Sequence, residues 1–113
     1  MAYLQIFDHN GAHKLRYEKI IRIQSIDNYS KIFFDNNTSL VVSKVLRWFE
    51  DCLPADRFTR VHRSHLLNNT HICKIEDVAN DLLILSNGEH IRISRRKKTR
   101  VIAGITNMLM LHS

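Results

Sequence analysis

The chain of 113 residues contains 44% apolar and 25% charged residues with only three glycines and one proline, which excludes a disordered protein and suits one globular domain. No apolar run is long enough to cross a bilayer, and the first residues lack the basic-then-apolar order of a signal peptide. We therefore expect a single cytoplasmic domain over residues 1–113. Cys52 and Cys73 are expected in the core as free thiols, with one disulfide as the alternative.

The net charge of +6 is unevenly distributed along the chain. Up to Glu89 the 11 basic residues are balanced by 11 acidic ones, whereas the last 24 residues contain six basic residues and no acidic one. Such an excess favours a polyanionic partner, namely DNA, RNA or an anionic membrane surface. The alternative is a solvated face that only improves solubility, and the charge run taken alone favours this alternative.

The first third of the chain is predicted to form short strands separated by turns. Alternation is clearest over residues 20–26, where Ile21 and Ile23 are expected to share one face of a sheet. Arg22 and Gln24 are expected on the opposite face. The other predicted strands are residues 3–7, 14–17, 31–34 and 39–42, with turns at 8–11, 27–30 and 35–38.

One amphipathic helix is predicted in the middle of the chain, over residues 44–53. Ser43 is suited to cap its N-terminus, and Pro54 ends it. Core packing explains its apolar stripe better than a groove for a partner does. The stripe consists of Val45, Leu46, Phe49, Cys52 and Leu53.

The second half is predicted to contain short strands and to end in a helix that Ser94 caps. Asn87-Gly88 indicates a two-residue type I′ turn between antiparallel strands. The pattern as a whole predicts a mainly β fold with antiparallel sheets, one central short helix and a C-terminal helix. The strands expected here are residues 58–62, 66–68, 72–75, 82–85 and 90–93, and the helix carries Val101, Ile102, Ile105 and Leu109.

Residues suited to catalysis do not form a recognised pattern. Ser64 lacks the glycines of a nucleophile elbow, and the acidic residues are scattered rather than paired. On strands, the spacing of His62, His65 and His71 does not bring their imidazoles together, and no CxxC accompanies them. We therefore expect no enzymatic activity, no metal and no cofactor.

Hydrogen-bond donors are concentrated where predicted strands end. An arginine can bind a phosphate, or the edge of a guanine, through two hydrogen bonds. The pattern therefore favours recognition of nucleic acid by strand ends. The donor-rich segments are Arg63 with Ser64, Arg95-Arg96 after Ser94, and residues 28–31.

Several motifs, in this order and at these separations, closely resemble the LytTR DNA-binding domain. The resemblance covers roughly residues 18–100, most of the chain. His65 departs from the family, which usually has an aromatic residue at that position. The motifs are Ile20-x-x-Ile23-x-Ser25-x-x-Asn28-Tyr29, Phe58-x-Arg60-Val61-His62-Arg63-Ser64-x-Leu66-Leu67-Asn68, His71-Ile72, Leu85-Ser86-Asn87-Gly88 and Ile91-x-Ile93-Ser94-Arg95-Arg96.

The resemblance implies a bacterial transcription regulator of the response-regulator type, within a two-component system. Its fold would be an elongated set of antiparallel β-sheets with small helices. Its inter-strand loops, rather than a recognition helix, would enter successive major grooves, and the domain would cross the minor groove between them and bend the DNA.

Roles for individual residues follow from their motif positions in this resemblance. Those implied to read bases are Ser30, Arg63 and Arg96. Those implied to bind phosphates or to position the domain are Asn28, Tyr29, Lys31, Ser64, Arg95, Lys97 and Lys98.

The implied partner is double-stranded DNA with paired or repeated half-sites, bound by a dimer or by two separate copies. LytTR domains usually follow a receiver domain that an upstream kinase phosphorylates. Met1 stands directly before a predicted strand, so the chain is either a stand-alone regulator or an excised piece. One alternative function is an RNA- or single-strand-binding β-module that stacks bases on Tyr29 or Trp48. Another is a protein-interaction or membrane-surface module that uses the basic tail.

Overall fold

Strands are the most frequent element of the molecule, which measures 43 × 30 × 24 Å along its principal axes. The computed structural model describes residues 2–77 and 81–111, and it confirms the mainly β fold with antiparallel sheets and a C-terminal helix. The strands are β1 (Tyr3–Asp8), β2 (Gly11–Arg16), β3 (Ile20–Ile26), β4 (Tyr29–Phe34), β5 (Ser39–Val42), β6 (Phe58–His62), β7 (His65–Asn68), β8 (Ile72–Asp77), β9 (Leu82–Leu85) and β10 (His90–Arg92). The helices are α1 (Leu46–Cys52) and α2 (Lys98–Leu111), and 3-10 turns cover Tyr17–Lys19, Asn69–His71 and Arg95–Lys97.

A five-stranded antiparallel sheet, in the order β5-β4-β3-β7-β6, forms the middle layer. The hairpin of β1 and β2, together with α1, covers one face of this sheet and forms the first core with it. Ile23, Ile32 and Leu66 lie side by side on three adjacent strands and are almost completely buried, as is Phe49 of α1. Each such side chain stabilises the fold by about 1.5–3 kcal/mol.

The opposite face of the five-stranded sheet packs on a second core. A three-stranded antiparallel sheet, in the order β10-β9-β8, and helix α2 cover it. Leu67 from the middle layer, Leu83 from β9, and Val101 and Ile105 from α2 are buried there. The middle sheet is therefore buried on both faces, which fixes the positions of its strand ends.

β-Bulges shift the alternation of side chains in β3 and β6. Ile20 and Arg22 pair with consecutive residues of β4, so Ile21 is an extra residue in β3. As a result, Ile21 points into the second core while Ile20 and Ile23 point into the first. The prediction that Ile21 and Ile23 share a face is wrong, because one inserted residue reverses the alternation. The same irregularity in β6 places Val61 in the second core.

Helix α1 is shorter than predicted. It begins at Leu46, so the predicted start at residue 44 with Ser43 as the cap is wrong. Val45 takes the N-cap position in an extended conformation and is 48% exposed. The buried stripe of this segment reduces to Leu46, Phe49 and Leu53.

Both cysteines lie outside the cores, so their predicted burial is wrong. Cys52 is on the exposed side of α1, and Cys73 falls at a register shift of β8, between the buried Ile72 and the exposed Lys74. Both thiols are free.

The turn between β9 and β10 is one residue longer than predicted. The backbone N–H of Leu85 donates to Glu89 O at 2.9 Å, so residues 86–88 form a three-residue loop. Gly88 alone adopts a positive φ, 86°, whereas a type I′ turn needs two such residues. The predicted cap at Ser94 is also wrong, because its side chain makes no capping hydrogen bond and a 3-10 turn precedes α2.

Among the described residues, 2–77 and 81–111, the helices are all too short or too polar to span a membrane.

Candidate nucleic-acid interface

Two donor-rich turns lie next to each other at one end of the five-stranded sheet. Strands β3 and β7 run antiparallel with Gln24 opposite His65, so the β3–β4 turn and the β6–β7 turn share this end. The N–H of Ser25 donates to Ser64 O at 2.9 Å and extends the pairing beyond the strands. We call this region the loop end, consisting of residues 26–31, 43–44, 62–65 and 94–97.

A third donor-rich segment joins the loop end through the backbone. The N–H of Ser94 donates to Val61 O at 2.8 Å, which ties the segment after β10 to the end of β6. Arg95 and Arg96 follow immediately in the 3-10 turn, and both are exposed. Segments more than 30 residues apart in the sequence thus bring Arg63 and Arg96 to the same end of the molecule.

Ser30 is not available to a ligand. It is completely buried, and its hydroxyl donates to the backbone oxygen of Lys44 at 2.6 Å. It pairs with Val42 of the first core, so the alternation of β4 turns it inward. Its predicted base-reading role is contradicted by this burial. Its hydrogen bond brings Lys44 to the loop end instead, a cation that no sequence motif had indicated.

The β3–β4 turn presents Asn28 and Tyr29 to solvent. Asp27 begins the turn at a φ of 52°, a left-handed conformation that Asp tolerates better than most residues. Lys31 is half-buried, with its ammonium 5.2 Å from the centre of the Phe33 ring. The three predicted positioning residues of this turn therefore lie together at the loop end.

Arg60 supports the backbone of the β6–β7 turn. Its guanidinium donates to the backbone oxygens of His62, at 2.9 Å, and of Arg63, at 2.5 Å, and forms an ion pair with Glu50 of α1 at 2.7 Å. The N–H of Ser64 donates to His62 Nδ1 at 3.1 Å and closes the turn. These hydrogen bonds stabilise the backbone of the turn, while the side chain of Arg63 remains exposed. Arg60 belongs to the sequence motif, but only the structure shows its supporting role.

Lys98 forms an ion pair within the domain. Its ammonium lies 2.6 Å from Asp81 Oδ1, and Asp81 is buried. The backbone oxygen of Asp81 also accepts from the N–H of Ile93 at 2.7 Å. Lys98 therefore anchors the start of α2, and its charge is already balanced within the domain.

A largely buried ion pair lies between the five-stranded and three-stranded sheets. Arg22, which is 7% exposed, donates to both carboxylate oxygens of Glu89, at 3.2 and 2.7 Å. It also donates to Gln24 Oε1 at 2.8 Å and lies 3.8 Å from the centre of the Phe33 ring. The hydrogen bond from Arg22 lowers the pKa of Glu89 below its ordinary 4.5. This pair connects the β9–β10 loop to the middle sheet.

His65 is held neutral by its surroundings. Burial lowers its pKa from 6.5 to about 4, helped by the charges of Arg22 and His62 and opposed by Glu89. Its Nδ1 is buried and has no hydrogen-bond partner among residues 2–77 and 81–111. A protonated imidazole is therefore unfavourable in the folded state.

Stability is expected to fall as the pH drops from about 6.5 to about 4. In this range the unfolded chain protonates His65 while the folded domain resists, so acid favours unfolding. Because the ring is only half-buried, the loss from this residue should be about 1–2 kcal/mol. Urea unfolding of the native domain and of His65→Phe across this range would measure it. The variant should lose this part of the pH dependence, and parallel curves for the two proteins would contradict the expectation.

Within residues 2–77 and 81–111, no three His, Cys, Asp or Glu side chains are grouped as metal ligands. The rings of His62 and His65 lie 5.6 Å apart, without a third partner of that kind.

Comparison with known proteins shows that the chain matches a known protein family. The family model described as the LytTr DNA-binding domain matches residues 10–104. A solved structure with a similar fold is a LytTr DNA-binding domain from Bacillus cereus, described as part of a methyl-accepting/DNA response regulator. It superposes with a TM-score of 0.76 at 22% identity, covering 93% of this chain and 97% of that one. The comparison with curated proteins gave no match.

Proposed function

Because the chain belongs to the LytTR DNA-binding domain family, we propose that it regulates transcription by binding specific double-stranded DNA sequences through its loop end. The observation that carries the proposal is the convergence of three donor-rich segments. The bonds Ser25–Ser64 and Ser94–Val61 join strand ends that are distant in sequence. Duplex DNA presents phosphates and base edges, which such donors bind.

We assign base reading to Arg63 and Arg96. Both side chains are exposed, and both stand on backbone that is hydrogen-bonded to the middle sheet. A guanidinium can form two hydrogen bonds with guanine O6 and N7 in the major groove. Phosphate binding and positioning are assigned to Asn28, Tyr29, Lys31, Ser64, Arg95 and Lys97, with Lys44 added to this group. Lys98 is assigned to the domain itself, because Asp81 already pairs with it.

The remaining features of the proposal concern assembly. One domain would place its loops in successive major grooves, and two copies, as a dimer or separately, would bind paired or repeated half-sites. A receiver domain and its kinase are the regulatory partners that the family resemblance implies, and the whole of residues 1–113 would act as one output domain. Catalysis forms no part of this function, since LytTR is a DNA-binding family.

Selection from a random duplex library tests the proposed function directly. Sequence-specific binding should enrich a motif that recurs at a fixed spacing, and lack of enrichment would refute it. Competition of the selected duplex with its single strands, in DNA and RNA form, tests the rival single-strand module. That rival is weakened by Trp48, which packs against the first core and leaves Tyr29 as the exposed aromatic residue of the loop end.

Lys97→Ala should weaken binding to every duplex about equally. Lys97 follows the base-reading Arg96, and an ammonium bound to phosphate contributes affinity without sequence information. The slope of log K against log salt should fall by about one unit. Fluorescence anisotropy at several salt concentrations would measure it.

Lys19→Ala is the matched control for this experiment. Lys19 precedes β3 at the end of the sheet opposite the loop end, where it pairs with Asp35 at 3.7 Å. It should leave the salt slope unchanged. A change of the same size in both variants would show only the effect of net charge.

A further inference from the structure

Ile26 is an exposed aliphatic side chain in a polar part of the loop end. It is 40% exposed, and it pairs across the β3–β4 hairpin with Tyr29, which is 49% exposed. Two such side chains beside the turn at Asp27 and Asn28 do not contribute to either core. Core packing therefore does not account for apolar side chains at these two positions.

The pairing of β3 with β7 brings Ile26 next to the β6–β7 turn, which contains Arg63. The register runs from Arg22 opposite Leu67 to Gln24 opposite His65, and the Ser25–Ser64 hydrogen bond continues it. The next position along β3 is Ile26, and the next along the other chain segment is Arg63. Ile26 thus lies opposite Tyr29 on the hairpin and next to the turn that carries the exposed arginine assigned to guanine.

An aliphatic group at such a position matches one feature of the major groove. Thymine carries a C5-methyl group there, and apolar side chains recognise it by contact. Phosphates and the other base edges offer Ile26 no comparable apolar surface. The surrounding cations at Arg63 and Lys31 make duplex DNA a better occupant than an apolar protein surface.

We propose that Ile26 contacts the methyl group of a thymine adjacent to the guanine bound by Arg63, and so contributes to sequence choice. This inference rests on the proposed function and adds to it a residue outside the donor-rich motifs. Tyr29 lies directly across the hairpin from Ile26 and on the same face of the sheet. The recognised chemistry is therefore a guanine with a neighbouring thymine, read by a cation and an aliphatic group side by side.

Replacing single thymines with deoxyuridine tests the inference, because this change removes the methyl group and leaves base pairing intact. The duplex enriched by the native domain is synthesised with each thymine replaced in turn. The guanine bound by Arg63 is identified as the position at which Arg63→Ala no longer distinguishes guanine from other bases. Replacing the thymine next to this guanine should weaken binding of the native domain about 3- to 10-fold. Ile26→Ala should bind the thymine duplex more weakly by a similar factor and should be indifferent to the replacement.

Val41→Ala is the matched control, because Val41 is a 52% exposed aliphatic residue that pairs with Lys31 and lies on β5, two strands away from β3. It should behave like the native domain with every duplex. The inference is overturned if no replacement affects the native domain, or if Ile26→Ala remains as sensitive to the replacement as the native domain. It is also overturned if Ile26→Ala weakens all duplexes equally. A selection that enriches no motif would instead refute the proposed function, and this inference with it.

Discussion

Glu89→Ala is expected to lower the free energy of unfolding by about 2–4 kcal/mol. Removing the carboxylate leaves the guanidinium of Arg22 buried, with Gln24 as its remaining hydrogen-bond partner. An unpaired buried charge is far more costly than the pair is stabilising. The expected loss in free energy of unfolding is smaller than for a fully buried ion pair, because the Glu89 side chain is 35% exposed. Urea unfolding at neutral pH would measure the change.

Asp51→Ala provides the control for this substitution. Its carboxylate pairs with Arg47 at 3.2 Å, but both side chains are more than 60% exposed. Its removal should change stability by less than about 0.5 kcal/mol. The double variant Arg22→Leu/Glu89→Leu should be more stable than Glu89→Ala, because it removes both charges together. Equal stability of Glu89→Ala and the native domain would show that water solvates Arg22 without its partner.

The same ion pair has a defined dependence on pH. The pKa of Glu89 is lower in the fold than in the unfolded chain, so its contribution is present above the unfolded value of 4.5. It is lost as the pH falls through the lower, folded value. The loss of stability caused by His65 occurs at higher pH than the loss caused by Glu89, between about pH 6.5 and 4. As the pH falls, the packing between the two sheets is therefore weakened first through His65 and then through Glu89.

The sequence predicts the strands and the polar loops because both follow from local patterns. Alternation marks β3 and β4, and Asn and Asp residues mark the hairpin turns. The sequence does not indicate the bulge at Ile21, because an inserted isoleucine cannot be distinguished from the other isoleucines of the same strand. Only the register against β4 shows which core receives it.

Site residues are harder to predict, because exposure depends on partners distant in sequence. The motifs point to Arg63 and Arg96, and the hydrogen bonds of Ser25 and Ser94 bring their segments together. Ser30 fails as a base reader because it lies on the inward face of β4, next to Lys44. Its inward position follows from alternation with the buried Ile32, but the sequence predicts residues 27–30 as a turn, where alternation does not apply.

Arg63→Ala is expected to weaken binding to the selected duplex by about 1–3 kcal/mol and to relax sequence choice at one position. The substitution removes two hydrogen bonds to a guanine edge, while binding to unrelated duplexes should change little beyond the loss of one charge. Stability should be unaffected, because the side chain is exposed and Arg60 holds the turn through backbone oxygens. Anisotropy titrations with the selected duplex, and with duplexes changed at each position, would measure both effects.

Arg57→Ala separates the position of the lost charge from the charge itself. Arg57 precedes β6, so the length of that strand lies between it and the loop end, and it is also exposed. Both variants lose one positive charge, but only Arg63→Ala should change which sequences are preferred. If Arg63→Ala weakened specific and non-specific binding in equal proportion, Arg63 would be a phosphate contact. Base reading would then rest on Arg96 and its neighbours, because a charge bound to the DNA backbone cannot distinguish one base pair from another.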